Sequence, residues 1–185
     1  DTNKNGLTYV DGTWFLLEKG KLKTDYTGLV QYEGRWYYVE NGILNWGYTG
    51  LTKYYSTWYM VVNGQLDWKF NDVTYYFGTW YYVKNGVLDW NYTGLAYHAG
   101  GYYYINHGVL DWNYSGSAQI DGKGRYYEVV NGVMIYSALD KMRELVRNET
   151  SPTNYIILVD RAAHRVGIFK GGKNNWQDAQ YYKCC

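Results

Sequence analysis

Residues 80–94 read W-Y-Y-V-K-N-G-V-L-D-W-N-Y-T-G, in which two runs rich in apolar side chains lie on either side of polar residues. Short apolar and aromatic runs bounded by turn residues are typical of β-strands. The dipeptide Asn85-Gly86 at the centre supplies the two positive-φ positions of a type I′ turn. The segment is therefore predicted to form a β-hairpin in which Lys84 pairs with Val87.

The predicted pairing gives the hairpin two different faces, because successive side chains of a strand point to opposite sides. Beyond the first pair, the expected partners are Val83 with Leu88, Tyr82 with Asp89, and Tyr81 with Trp90. The apolar face, predicted to form core, carries Tyr81, Val83, Leu88 and Trp90. The mixed face carries Trp80, Tyr82, Lys84, Val87 and Asp89. We expect the rings of the mixed face either to contact a ligand or to share in packing between hairpins.

Four sets of positions recur with a period of 22 residues along the chain. They are Gly28, Gly50, Gly94 and Gly116, with Asp72 at the missing step; Trp14, Trp36, Trp58, Trp80 and Tyr102; Trp46, Trp68, Trp90 and Trp112; and Tyr26, Tyr48, Phe70, Tyr92 and Tyr114. A single hairpin is marginally stable, so neighbouring hairpins must stack to bury their apolar faces. The sequence predicts an all-β fold, a β-hairpin solenoid of about six 22-residue repeats. Its first and sixth repeats depart from the pattern, as terminal caps do.

Composition narrows the function more by exclusion than by assignment. The 185 residues include 25 Tyr and 9 Trp, and the formal net charge is only +1. A nearly neutral chain has no electrostatic footprint for nucleic acid or for an anionic membrane surface, so neither is a predicted partner. An exposed aromatic face suits either a ligand or a homodimer contact, and both uses remain open.

Candidate catalytic and metal-binding groups are sparse. One acidic or amide side chain recurs in each repeat, in the set Asn45, Asp67, Asp89 and Asp111. Glycosidase chemistry needs two carboxylates in one site, so these residues are predicted to be structural or to hydrogen-bond a ligand. The three histidines, His98, His107 and His164, lack the spacing of metal ligands. No metal and no cofactor is predicted.

The period changes after residue 136. Leu139, Met142, Leu145 and Val146 fall at helical spacing, with Ser137 as the predicted N-cap and Asp140 three positions later. Ser151-Pro152 then marks a boundary, because the residue before proline avoids helical geometry. Three strands are predicted, at 155–160, at 165–170 and at 176–182. The predicted division is therefore a repeat solenoid at 1–136, a helix and linker at 137–151, and a separate partial β domain at 152–185.

The repeats resemble the cell-wall-binding repeats of Gram-positive surface proteins, a group that includes choline-binding and glucan-binding repeats. The likeness rests on G-x-W-Y-Y-V-x-N-G, at 34–42 and 78–86, and on the second tryptophan that follows. It covers roughly residues 7–136. In this chain an Asp or Asn precedes that tryptophan and Tyr-Thr-Gly follows it, whereas the choline pattern has Gly-Trp before the unit. The resemblance implies a secreted, non-catalytic module at the cell surface, and choline on teichoic acid, peptidoglycan and another wall glycan all remain possible ligands.

The resemblance also implies which rings bind the ligand. In the choline-binding members, aromatic rings from successive repeats enclose a quaternary ammonium group. The matching positions here are the ligand-binding candidates Trp36, Tyr38, Trp46, Trp58, Trp68, Trp80, Tyr82, Trp90, Tyr102, Tyr104 and Trp112.

The segment from Asn154 onwards resembles the opening of an L,D-transpeptidase domain, through N-Y-I-I-L-V-D and R-V-G-I-F-K-G. Such enzymes cross-link peptidoglycan with a cysteine nucleophile in a His-Gly-Cys context that does not occur here. Cys184 and Cys185 come too early to be that nucleophile, so no catalytic residue is predicted and this chain is expected not to be an enzyme. Two alternatives stay open: the targeting arm of such a transpeptidase, and a host-glycan-binding arm like the repeats of clostridial toxins.

Overall fold

A computed structural model describes residues 3–183 of the chain, and Cys184 and Cys185 lie outside these residues. Within this range six consecutive units each contain two longer strands and one short strand. The first strands are β1 (Gly6–Val10), β4 (Gly28–Tyr32), β7 (Gly50–Tyr54), β10 (Asp72–Tyr76), β13 (Gly94–His98) and β16 (Gly116–Ile120). The second strands are β2 (Thr13–Glu18), β5 (Arg35–Glu40), β8 (Thr57–Val62), β11 (Thr79–Lys84), β14 (Gly101–Asn106) and β17 (Lys123–Val130). The short strands are β3 (Lys21–Leu22), β6 (Ile43–Leu44), β9 (Gln65–Leu66), β12 (Val87–Leu88), β15 (Val109–Leu110) and β18 (Val133–Ile135).

The type I′ turn predicted at Asn85-Gly86 is confirmed. Asn85 has φ 50° and Gly86 has φ 72°, and β11 pairs with β12 in the predicted register near the turn. The predicted pairing of Tyr81 with Trp90 is wrong, since β12 ends at residue 88 and Tyr81 pairs with Val109 of the next repeat. The chain turns away at Asp89, whose Oδ1 accepts a hydrogen bond from the Asn91 N–H at 3.0 Å.

Each repeat is hydrogen-bonded to the next through the same pairing of strands. The second strand of one repeat pairs with the short strand of the following repeat, through Phe15 with Ile43, Tyr37 with Gln65, Tyr59 with Val87, Tyr81 with Val109 and Tyr103 with Val133. The all-β hairpin solenoid predicted from the 22-residue period is therefore confirmed. Each repeat therefore pairs with the repeats next to it, and the stability of such an array depends on contacts between neighbouring repeats.

Both faces of each hairpin contribute to the core. One cluster joins Leu51 and Met60 of the third repeat to Val83 and Leu88 of the fourth. Val83 and Leu88 thus confirm the predicted apolar face, but Trp90 of that face remains 47% exposed, so its assignment to the core is wrong. The short strand ends before Trp90, and its indole consequently lies at the edge of the cluster rather than inside it.

The hairpin glycines touch the preceding repeat directly. A Cβ added at Gly86 would lie 2.4 Å from the Asp67 carbonyl oxygen, and the Met60 N–H donates to the Gly86 carbonyl at 2.8 Å. Glycine is required here both by the positive φ and by this approach of two backbones. The Asn-Gly turn therefore serves as a contact between repeats as well as a reversal of the chain.

The recurring Tyr-Thr-Gly sequence completes that contact. The Tyr48 ring stacks on Tyr38 with centroids 3.7 Å apart, and its hydroxyl donates to the Leu51 carbonyl at 2.6 Å. Thr49 Oγ1 accepts from the Asn63 N–H, in the turn of the next hairpin, at 3.0 Å. Burial raises the pKa of Tyr48, which keeps this phenol neutral well into the alkaline range.

The chain after the repeats forms a small layered unit. Helix α1 (Ala138–Val146) begins with the predicted capping box, in which Ser137 and Asp140 hydrogen-bond each other's backbone N–H groups. Strands β19 (Tyr155–Asp160), β20 (Arg165–Lys170) and β21 (Gln177–Lys183) form an antiparallel sheet at the three predicted places. Met142 and Val146 pack on Phe169, whereas Leu145, which was predicted on the apolar helix face, is 67% exposed. No helix among the described residues is long and apolar enough to cross a membrane.

Charged side chains join this unit to the last repeat. Arg143 donates from Nε to Asp178 Oδ1 at 2.8 Å and from Nη1 to Asp140 Oδ1 at 2.9 Å. Arg125, on β17, lies 3.3 Å from the same Asp140 oxygen. The Arg143 guanidinium holds the pKa of Asp178 below its usual range. The predicted division at 137 and 152 stays a prediction. Helix α1, which was grouped with the linker in that division, packs on the sheet that follows it.

Candidate functional site: aromatic cages between repeats

The central feature is an apolar pocket between the third and fourth repeats. Trp58 comes from the third repeat, whereas Tyr76, Tyr81 and Trp90 come from the fourth. Trp58 meets Tyr76 edge-on at 5.4 Å between centroids, and Tyr81 meets Trp90 edge-on at 5.9 Å. The full lining of this 390 Å³ cavity is Leu51, Trp58, Tyr76, Phe77, Tyr81, Leu88 and Trp90.

A second pocket repeats this geometry earlier in the chain. Its lining is Leu7, Trp14, Tyr32, Glu33, Tyr37, Leu44 and Trp46. Every one of these positions lies 44 residues, two repeats, before its counterpart in the pocket around Trp58. Because the same seven positions form both cavities, the pocket is a property of the repeat and not an accident of one interface.

The two remaining interfaces that carry both tryptophans have ring pairs at the same positions. We number the four cages in chain order as sites 1 to 4. Site 2 pairs Trp36 with Tyr54 at 4.8 Å and Tyr59 with Trp68 at 5.8 Å. Site 4 pairs Tyr103 with Trp112 at 5.8 Å, but there Trp80 meets His98, at 5.0 Å, in place of a tyrosine. Each cage needs rings from two successive repeats, so each exists only when the hairpins are stacked.

The structure brings together most of the predicted ligand-binding rings. Those that lie in the four cages are Trp36, Trp46, Trp58, Trp68, Trp80, Trp90 and Trp112. Those that lie elsewhere are Tyr38, Tyr82 and Tyr104, which stack on Tyr48, Tyr92 and Tyr114. These stacks contribute packing between the rings, and Tyr38 is only 8% exposed. Tyr102 lies at the fifth interface, against Tyr97.

Sequence reasoning missed part of each cage. Trp14 was not among the candidates, and the tyrosine of the second strand was assigned to the core instead, in the set Tyr37, Tyr59, Tyr81 and Tyr103. The tyrosine that ends the first strand was also missed, in the set Tyr32, Tyr54 and Tyr76. All of these positions follow the 22-residue period. The signal was therefore present, but alternation along one hairpin does not reveal which face meets the next repeat.

The walls of the site 3 cage are rings and leucines. In site 3 none of the seven lining residues is charged, and desolvation raises the pKa of Tyr76, so this phenol stays neutral at physiological pH. Aromatic faces attract a cation through their quadrupoles, at about 0.5–2 kcal/mol per ring. A quaternary ammonium group donates no hydrogen bond and needs no polar partner. The site 3 cage therefore provides the aromatic faces that attract such a cation.

A polar groove opens beside site 3 and shares Trp58, Leu88 and Trp90 with it. Its other lining residues are Ser56, Thr57, Lys84, Asn85, Val87, Asp89 and Asn91. The cage is therefore continuous with a surface that accommodates polar groups. A ligand with an apolar cationic head on a polar body matches this arrangement.

The fifth interface is filled differently. Its ring at the Tyr81 position is Tyr127, and the guanidinium of Arg125 lies over that ring at 4.6 Å from the centroid. Ile120 replaces the tyrosine that ends the first strand in sites 1 to 3. A cation of the chain itself thus occupies the face that the cages leave open.

The recurring carboxylates have structural partners. Asp67 Oδ1 accepts from the Lys69 N–H at 2.8 Å, and Asp89 and Asp111 make the corresponding bonds to Asn91 and Asn113 at 3.0 Å. These three residues therefore have the structural contacts that were predicted as one alternative, and hydrogen bonding to a ligand stays a prediction. Among residues 3–183 no group of three or more His, Cys, Asp or Glu side chains is placed to hold a metal ion.

An open row of stacked hairpins with an aromatic cage at successive interfaces defines the chain as a β-hairpin repeat protein. Comparison with known families agrees. The family model of the choline-binding repeat matches five tandem segments, 3–23, 25–45, 47–67, 69–89 and 91–111, which together make up more than half of the chain. The chain belongs to the choline-binding repeat family, a family of non-catalytic modules associated with the cell surface. No protein with a curated description matches it.

Proposed function

We propose that this chain anchors its parent protein to a bacterial wall polymer that carries choline, with one choline head group bound in each of sites 1 to 4. The observation that carries the proposal is the recurrence of one seven-position cage at a spacing of two repeats. The head group enters between the tryptophans of successive repeats, and the polymer continues into the polar groove beside Lys84 and Asn85.

Weak, repeated sites suit a polymer. A few cation–ring contacts of about 0.5–2 kcal/mol each give one cage an affinity in the millimolar range. Four cages that face one polymer gain by effective concentration, by about 10²–10⁴-fold. A module of this kind holds a wall decorated with many choline groups and is released by free choline at high concentration.

The decisive experiment is retention on purified cell walls whose teichoic acid carries choline, with elution by choline and separately by choline-free wall glycan. We expect release by choline, and weaker retention for the double variant Trp58→Ala and Trp90→Ala. Tyr182→Ala is the matched control, because this exposed ring lies on β21, outside the repeats. Release by glycan alone would favour peptidoglycan or another wall glycan, and binding to free host oligosaccharides without wall retention would favour a toxin-like host-glycan arm.

The transpeptidase resemblance after residue 154 remains a prediction. The three-stranded sheet lies where strands were predicted from the residue pattern, and the repeat family supports binding alone. If the parent protein is a transpeptidase, the repeats are its targeting arm, and removal of choline from the wall should lower its action on walls more than its action on a free substrate.

A further inference from the structure

Site 4 departs from the other cages at two linked positions. His98 stands where Tyr32, Tyr54 and Tyr76 end the first strand in sites 1 to 3. Asp72 stands where the repeats otherwise have glycine. The two residues meet: His98 Nδ1 lies 2.9 Å from Asp72 Oδ1. The two residues that depart from the repeat pattern thus contact each other, and they place an imidazole and a carboxylate at site 4 where sites 1 to 3 have a tyrosine and a glycine.

The hydrogen bond fixes the state of the ring. Because the carboxylate can only accept, Nδ1 carries a proton, and the neutral imidazole has its lone pair on Nε2. Asp72 Oδ1 also accepts from the Val73 N–H at 2.7 Å, which holds the carboxylate in place. A second proton can therefore add at Nε2, which makes the ring a cation.

The rings around His98 make its charge matter to a bound cation. Trp80 lies 5.0 Å from it and Tyr103 lies 6.4 Å from it, between centroids, and both belong to the cage. Among the described residues, the structure places two titratable side chains against His98, namely Asp72 from β10 and Tyr103 from β14. Histidine is the residue type whose charge changes with pH near neutrality, so protonation of this ring changes the charge beside the cage.

We propose that Asp72 and His98 make site 4 a proton-sensitive cation site, unlike sites 1 to 3. With His98 neutral, the pair has a formal charge of −1 beside the cage and favours a quaternary ammonium ligand. With His98 protonated, the pair is neutral overall and its positive end lies against the cage. Choline then binds about three- to tenfold more weakly, as expected for one unit charge about 6 Å away in a partly solvated site. This inference rests on the proposed function.

The test compares two cages in one molecule. Indole N–H signals of Trp90 and Trp112 report choline binding at sites 3 and 4 in NMR titrations of the full chain, at about pH 8 and about pH 5.5. We expect the affinity reported by Trp112 to fall about three- to tenfold at the lower pH, while that reported by Trp90 stays constant.

Variants separate the cause from general effects of acid. His98→Tyr combined with Asp72→Gly restores the residues of site 3 and should make the two signals respond alike at both pH values. Asp72→Asn keeps a partner for the ring but removes the charge, and should weaken choline at site 4 even at about pH 8. Equal affinities at both sites and both pH values in the natural chain would overturn the inference while leaving the proposed function intact. Absence of choline binding at Trp90 as well would overturn the proposed function.

Discussion

The repeats and the unit that follows them solve the same problem, the burial of a sheet, in opposite ways. In the repeats each core cluster takes its buried residues from two or more hairpins, so each interior hairpin is covered on both faces. In the C-terminal unit one helix covers one face of a three-stranded sheet, and the outward side chains of β19, Tyr155, Ile157 and Val159, stay exposed. The repeats therefore form a series of similar interfaces, whereas the C-terminal unit has a single interface between its helix and its sheet.

This difference explains where the cages lie. A cage requires a tryptophan from one repeat and a tyrosine and tryptophan from the next, so stacking creates a cage at each suitable interface. The C-terminal unit has no second copy to stack against within the described residues, and its pocket is lined by ion-paired side chains such as Arg143 and Asp178. The cages of this molecule therefore depend on repetition.

The largest expected effect separates the two regions. Phe169→Ala removes the fully buried ring at the centre of the C-terminal core and should destabilise that unit by about 3–5 kcal/mol. Because Phe169 packs with Met142 and Val146 and not with the cages, choline binding by the repeats should persist. Hydrogen exchange over residues 138–183, measured with a choline titration, tests both parts. Loss of choline binding together with that exchange protection would show that the two regions fold as one.

A smaller effect tests the contact between repeats. Gly78→Ala and Gly86→Ala both place alanine at positive φ in the fourth repeat, at a cost of about 1–2 kcal/mol. Only the Cβ of the second would meet a neighbouring backbone, at 2.4 Å from the Asp67 carbonyl, whereas nothing lies within 4 Å of the first. Gly86→Ala should therefore be the more destabilising by about 1–3 kcal/mol in denaturant unfolding. Equal losses would mean that the turns do not hold the repeats together.

The smallest effect concerns the stacked tyrosines. Tyr48→Phe removes the hydroxyl that donates to the Leu51 carbonyl and should cost about 1 kcal/mol at pH 7. Burial raises the folded-state pKa of Tyr48 above the unfolded value of about 10, so its contribution is present below pH 10 and is lost as the pH rises further.

The natural chain should therefore lose its advantage over Tyr48→Phe near pH 11, since ionisation of one such phenol costs up to about 1.4 kcal/mol per pH unit. Thermal unfolding of both chains from pH 7 to 11 gives the comparison. A constant difference across this range would show that the Tyr48 phenol ionises alike in the folded and unfolded chains.

Much of the fold was predictable because short-range sequence patterns that recur in each repeat specify it. Asn-Gly at a fixed spacing specifies the turns, and the apolar and aromatic runs beside it specify the strands. The helix followed equally well from its capping box at Ser137 and Asp140. Leu145 was misassigned because helical spacing gives a stripe but not its width, and the sheet covers only the side of Met142 and Val146.

The candidate site was predictable only in part. The period picked out both tryptophan series, but a single hairpin cannot show that Tyr81 and Trp90 leave its core to join Trp58 of the previous repeat. Nor could it show that the Tyr82 ring stacks on Tyr92.

By itself, the sequence determined the repeat, the turns and the aromatic character of the interfaces, since these depend on residues close together in the chain. The tertiary structure alone decided which rings form a cage, because each cage joins two repeats. The relative placement of these repeats depends on the pairing of strands between them and on close contact at the hairpin glycines. The meeting of Asp72 with His98, 26 residues apart, depends on that same placement.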